Sequence, residues 1–94
     1  MPRFDRVDDA LRAIANRRRR GMLQLVRDRE RTAGEIAAFS ALSKSATSQH
    51  LRVLREAGLV RVRSEGNARY YRADLDGIAD VRSALDSFWA AVDS

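Results

Sequence analysis

Lys44, Ser45, Ser48, Gln49 and Arg52 recur at helical spacing within LSKSATSQHLRVLREAGLV, residues 42–60. At 100° per residue, positions 44, 45, 48, 49, 52 and 55 fall within an arc of roughly 140°. Ala46, Leu51, Val53, Leu54 and Ala57 take the remaining arc, the side that packs on a core. A solvated helix face ordinarily carries Glu/Lys pairs at i,i+4. This one carries short hydroxyls and a carboxamide between cations, with no acid before Glu56. Such groups donate and accept hydrogen bonds at short range, as base edges and phosphates require. Thr47 lies at the edge of the apolar arc, where packing and a base contact are equally open.

Other chemistries find less support. His50 is the only histidine and cysteine is absent, so a metal site of ordinary ligand count, a disulfide and a thiol redox sensor are not expected. His50 also falls toward the apolar side of its helix, as a packed structural residue would. Serines lie near it, but no Gly-x-Ser-x-Gly elbow accompanies them, and the chain does not read as an enzyme. No cofactor is implied.

The elements that position these residues follow from periodicity. Val7, Ala10, Leu11 and Ile14 step by i, i+3, i+4, i+7, predicting a first helix over about residues 5–16. A second runs through Met22, Leu23, Leu25 and Val26, opening on four consecutive arginines, Arg17–Arg20. Four residues at 100° cannot face one phosphate strand, so one or two of them are expected on DNA backbone or paired with Asp8 or Asp9. Thr32 and Glu35 have capping-box spacing and open a short third helix with Ile36 and Phe39. Ser43 caps the fourth helix and Gly58 ends it.

Periodicity then changes from 3.6 to 2. Residues 59–64 and 69–73 form a two-stranded ribbon around Glu65-Gly66-Asn67-Ala68, where Gly66 and Asn67 can take positive φ. Tyr70 and Tyr71 are expected to pack within it. Asp74 caps a last helix over residues 75–92, in which Ile78, Val81, Leu85, Phe88 and Val92 form a stripe that Trp89 widens. The order is ααααββα: mainly α with a β-hairpin wing, read as one domain over residues 1–94.

Net charge is +5 over 94 residues, unevenly placed. Residues 1–73 carry seventeen Lys/Arg against eight Asp/Glu, whereas residues 74–94 carry one Arg against five Asp. A basic body favours a polyanionic partner. No stretch approaches the ~18 apolar residues of a membrane helix. MPRFDRVDD has no apolar signal core, so a cytoplasmic location is expected.

Short helix, tight turn, longer helix and basic hairpin describe a winged helix-turn-helix. The runs ALRAIANRRRRGMLQLV, TAGEIA and LSKSATSQHLRVLREAGLVRVRSEGNARYYR resemble the ArsR/SmtB family of small dimeric bacterial repressors over about residues 7–73. The resemblance implies that the fourth helix lies in the DNA major groove, with contacts at Lys44, Ser45, Ser48 and Gln49, the face that periodicity selects independently. Arg52 extends that face and Thr47 is carried with it as a candidate. Lys44 suits a guanine or a phosphate and Gln49 suits adenine. Arg63, Asn67 and Arg69 are the wing's candidates for backbone or minor groove. Arg63 and Arg69 could also serve as a charged edge against strand aggregation.

Where the family shows Asn-Pro-Thr-Arg, this chain reads Asn16-Arg17-Arg18-Arg19. Arg19 is the matching position and a candidate backbone contact, while the missing proline should loosen the corner between the first two helices. The family's metal sensors carry Cys-x-Cys in the third helix or histidine and acidic ligands in the last. Here the third-helix positions are Ala37 and Phe39, and the last helix offers Asp80 and Asp86 without histidine. The resemblance therefore transfers fold and DNA binding but not metal sensing. Ser40 replaces a usual apolar residue, and Phe39 is expected to fill that space.

The last helix is the expected dimer seam, with the first as its neighbour: Val7, Leu11, Ile14, Ile78, Val81, Leu85, Phe88, Trp89 and Val92. The reading is a homodimeric repressor on a palindromic double-stranded DNA operator, not responsive to metal. An inducer or partner protein is left open. The rival is a winged-helix protein-interaction or dimerisation module, whose fourth-helix face would be apolar or acidic.

Overall fold

A computed structural model describes the backbone of residues 3–94 and the side chains of residues 6–94. Helices α1 (Arg3–Ile14), α2 (Arg17–Leu25), α3 (Ala33–Ser40) and α4 (Lys44–Glu56) precede the hairpin, and α5 (Leu75–Val92) follows it. Their ends obey local chemistry. Thr32 and Glu35 form the reciprocal capping box, with Thr32 N donating to Glu35 Oε1 (2.9 Å) and Glu35 N to Thr32 Oγ1 (3.2 Å). Ser43 Oγ accepts from Ala46 N at the start of α4.

Beyond the other end of α4, Gly58 takes φ +76°. Leu59 N then donates to Leu54 O and Gly58 N to Arg55 O, the Schellman pattern, with Leu54 and Leu59 both buried. The turn from α3 into α4 is made by Ala41 in the left-handed region at φ 54°.

The wing has three strands rather than two. Strands β2 (Val60–Glu65) and β3 (Ala68–Ala73) pair antiparallel, with Glu65 opposite Ala68. Their loop is therefore the two residues Gly66 and Asn67, and only Gly66 takes positive φ, as a hairpin turn with glycine first requires. Of the two residues able to take positive φ, Asn67 does not use that freedom. The additional strand β1 (Arg31–Thr32) adds to the other edge of β3 in the order β1-β3-β2. Two residues show no alternation, so the sequence carries no signal for β1.

Met22, Val26, Ile36, Leu51 and Leu54 are the large apolar side chains with no exposure, and Leu59, Val60 and Tyr71 close the core from the wing. Helix α5 starts on this core and runs past it. Gly77 lies so close to the α4–β2 turn that an added Cβ would collide with the Gly58 carbonyl oxygen. Asp74 caps the helix by accepting from Gly77 N (3.0 Å) and also meets Arg61 (3.3 Å). The Gly77 hydrogen bond, reinforced by Arg61, holds its carboxyl below the ordinary carboxylate pKa.

Phe39 does not fill the space left by Ser40. The residue is 63% exposed and its ring lies under the Arg31 guanidinium, 4.7 Å from carbon to centroid. The corner between α1 and α2 is closed despite the missing proline. Asn16 caps α2 by accepting from Arg19 N (3.1 Å), and Arg20 donates to Ile14 O (2.8 Å).

Candidate nucleic-acid interface

The α4 face is solvent-facing, as its residue types suggest: Lys44, Ser45, Ser48, Gln49, Arg52 and Arg55 are all exposed. It divides into two rows. Lys44, Ser48, Arg52 and Arg55 line a cleft of about 640 Å³ that also touches Gly34 at the start of α3 and Asn67 and Arg69 of the wing. Ser45 and Gln49 lie outside that cleft, further around the helix. Arg52 meets Glu56 at 3.4 Å with both side chains largely exposed, a contact too weak to withdraw its charge from a polyanion. Arg55, also on the polar arc, joins Arg69 in lining this cleft, a neighbourhood that exists only once the wing is folded.

Three expected contacts sit elsewhere. Thr47 is fully buried, and its Oγ1 donates to Ser43 O at 2.9 Å. On the helical wheel it falls between Leu51 and Leu54, so packing decides its role and it leaves the set of base readers. Arg19 donates through Nε to Ala13 O (2.7 Å) and through NH2 to Arg12 O (3.2 Å), with NH1 3.4 Å from His50 Nδ1. It ties off the carbonyl end of α1, a favourable place for a cation, instead of pointing to solvent. Asp9 takes Arg12 (3.5 Å) rather than an arginine of α2.

Arg63 is the third. Nε and NH2 hold Glu30 at 3.0 and 2.8 Å, NH1 holds Glu65 at 3.1 Å, and the guanidinium stacks 4.7 Å from the Tyr70 ring centre. Hydrogen bonds to Glu30 and then Glu65 raise its pKa. Strand alternation separates it from Arg69. Arg63 stands opposite Tyr70, whereas Arg69 stands opposite Ser64 on the face shared by Val62 and buried Tyr71. Only Arg69 looks toward α4.

His50 is half-buried between α4 and the α1–α2 corner, as a structural histidine would be. Burial, then the charges of Arg19 and Arg18, lower its pKa and favour the neutral ring. Among the described residues, no three His, Cys, Asp or Glu side chains gather as metal ligands would, and no helix is long and apolar enough to cross a membrane.

The expected seam residues fall into two groups. Ile14, Ile78 and Val81 pack against the chain's own core, because the first turns of α5 lie over it. Val7, Leu11, Leu85, Phe88 and Trp89 instead line a groove of about 750 Å³ between α1 and α5. Phe88, Trp89 and Val92 are 56–57% exposed. Arg6 and Asp80 flank the helix pair at 3.7 Å.

A polar helix face, a cationic cleft and a wing on one side of the molecule define a winged helix-turn-helix DNA-binding protein. Residues 16–62 match the model of the arsR family of bacterial regulatory proteins. An HTH-type transcriptional regulator of Mycobacterium tuberculosis, Rv2034, is 39% identical over 82 residues, covering 87% of this chain and 77% of that protein. The transcriptional activator HlyU of Vibrio cholerae is 44% identical over 61 residues, 65% of this chain and 56% of its own length. The homodimeric winged helix-turn-helix DNA-binding domain of Mb0332 from Mycobacterium bovis superposes with a TM-score of 0.73 at 31% identity, covering 96% of this chain and 81% of that chain. The chain belongs to the ArsR family of transcriptional regulators and is not an enzyme.

Proposed function

We propose that this chain is a homodimeric repressor that reads an imperfect palindrome in double-stranded DNA and acts in the cytoplasm. The observation that carries the reading is the division of the α4 face. Lys44, Ser48, Arg52 and Arg55 share one cationic cleft with Arg69, suited to sugar-phosphate backbone, while Ser45 and Gln49 are free to reach base edges. An interaction module without DNA binding would present an apolar or acidic face there. Residues 1–94 act as one DNA-binding domain, with 75–92 as its dimerisation helix. Two α4 helices related by a two-fold axis meet half-sites one helical turn apart, ~34–36 Å. Repression follows if the occupied site overlaps a promoter and excludes polymerase.

The reading includes no response to metal. Ala37 and Phe39 present a methyl and a phenyl group where a soft metal would need thiolates. Selection of bound fragments from the source genome, followed by footprinting and transcription from the recovered promoter, tests the proposal. A two-fold symmetric footprint with reduced transcript is expected, unchanged by micromolar zinc or arsenite. Stimulated transcript would reverse the sign of regulation, and failure to enrich any fragment would remove the DNA-binding reading altogether.

A further inference from the structure

Arginines on a DNA-binding wing are ordinarily counted as phosphate contacts, but the two candidates here differ in what surrounds them. Both edges of the Arg63 guanidinium are occupied by carboxylates, Glu30 at 2.8–3.3 Å and Glu65 at 3.1 Å, and one face is covered by Tyr70. Two carboxylates more than balance the charge of this guanidinium, so Arg63 itself is less free than Arg69 to pair with a phosphate. Glu30 directly precedes β1, and Arg63 belongs to β2 on the far side of β3. The pair therefore spans all three strands. It fastens the hairpin to the segment that leads into α3, the helix whose first turn borders the cationic cleft.

We infer that Glu30 is a positioning residue for the wing: by gripping Arg63 across β3 it fixes how the hairpin stands against α4, leaving Arg69 as the arginine of this pair that meets the DNA backbone. The inference rests on the DNA-binding reading above. The two-pronged grip depends on the planar fork of arginine, which a lysine ammonium does not reproduce.

Two measurements on the full chain test it. The first is the salt dependence of binding to a mixed-sequence DNA duplex. Arg69→Ala should lower the slope of log K against log salt by about 1. Arg63→Ala, Arg63→Lys and Glu30→Gln should keep the wild-type slope and weaken binding about two- to fivefold, the range an exposed ion pair supports. If Arg63 were a DNA ligand resting on Glu30, Arg63→Ala would lose slope, Arg63→Lys would keep both slope and affinity, and Glu30→Gln would bind more tightly. Any of these overturns the inference.

The second measurement is amide exchange without DNA. Glu30→Gln and Arg63→Lys should speed exchange across residues 60–73 and leave that of α4 unchanged. Wild-type exchange in the wing of both variants overturns the grip even if the chain proves not to bind DNA, and absence of DNA binding with a loosened wing overturns only the functional reading.

Discussion

The guanidinium of Arg19 stands 3.4 Å from Nδ1 of His50 while the same group donates to the Ala13 and Arg12 carbonyls. One side chain thus joins the end of α1, the start of α2 and the middle of α4. A guanidinium N–H can only donate, so Nδ1 accepts here in the neutral tautomer protonated at Nε2, and a proton added to the ring would be repelled by Arg19. Burial acts in the same direction, and the folded pKa lies below the ordinary value of 6.5.

A pH dependence follows from that shift. Between the folded and unfolded pKa values the unfolded chain binds more protons at this site, so stability falls as pH drops below 6.5 toward the folded value. Above 6.5 this contribution is fully present. His50→Gln retains an acceptor without a titrating group, so its thermal midpoint should vary less than that of wild type between about pH 7 and pH 5. Parallel midpoint curves for the two proteins would show that His50 does not titrate against Arg19.

Gly77 should tolerate no side chain. It sits in the first turn of α5, capped by Asp74 and pressed against the Gly58 carbonyl oxygen. Alanine would ordinarily favour a helix here, but the backbone contact cannot yield as a flexible side chain would. Gly77→Ala is expected to lose ~1–3 kcal/mol in chemical denaturation, whereas Gly21→Ala, with open space around the added carbon, should gain up to ~1 kcal/mol. Equal effects of the two substitutions would contradict the contact.

Much of this architecture was legible because strong local signals agreed. The Thr32–Glu35 box, Ser43 cap and Gly58 stop delimit α3 and α4, and the switch from period 3.6 to period 2 locates the hairpin. What escaped depends on tertiary placement. Strand β1 is two residues long and exists only because β3 offers a free edge. Arg63 and Arg69 look equivalent in a linear reading, although the register puts them on opposite faces. Thr47 was the exception, since its angle between Leu51 and Leu54 already indicated burial. The family pattern singles out Arg19 among the four adjacent arginines, but its partners, the α1 carbonyls and His50, come together only in the fold.

Base readout and backbone contact should separate experimentally along the two rows of α4. Gln49→Ala, outside the cleft, is expected to relax discrimination by ~1–3 kcal/mol in competition between a selected operator and scrambled DNA. Arg55→Ala should weaken both DNAs alike and lower the salt slope by about 1. Lys44 lines the cleft but, at the helix start, suits a guanine as well as a phosphate, so Lys44→Ala should show both effects, a lower slope and reduced discrimination. If Gln49→Ala leaves competition unchanged while Arg55→Ala alters base preference, the assignment of the rows is reversed.

Dimerisation provides the last test, because it concerns residues far from the cationic cleft. Leu85, Phe88 and Trp89 line the groove against Val7 and Leu11 of α1, and the Phe88 and Trp89 rings meet edge to face at 5.2 Å while remaining more than half exposed. Apolar surface of this kind gains roughly 25 cal/mol per Å² when covered, and a second copy presents the same self-complementary pair of helices. Ile14, Ile78 and Val81 already serve the monomer's core, so substitutions there would confuse folding with association. Phe88→Glu avoids that difficulty, since the residue is 56% exposed; Leu85→Glu together with Phe88→Glu should complete the disruption. Sedimentation is expected to show monomers with wild-type circular dichroism. Operator affinity should then fall more than the two added carboxylates, far from the cleft, could explain by repulsion from DNA, because each monomer holds only one half-site. A dimer of normal affinity in the double variant would place the seam on another surface.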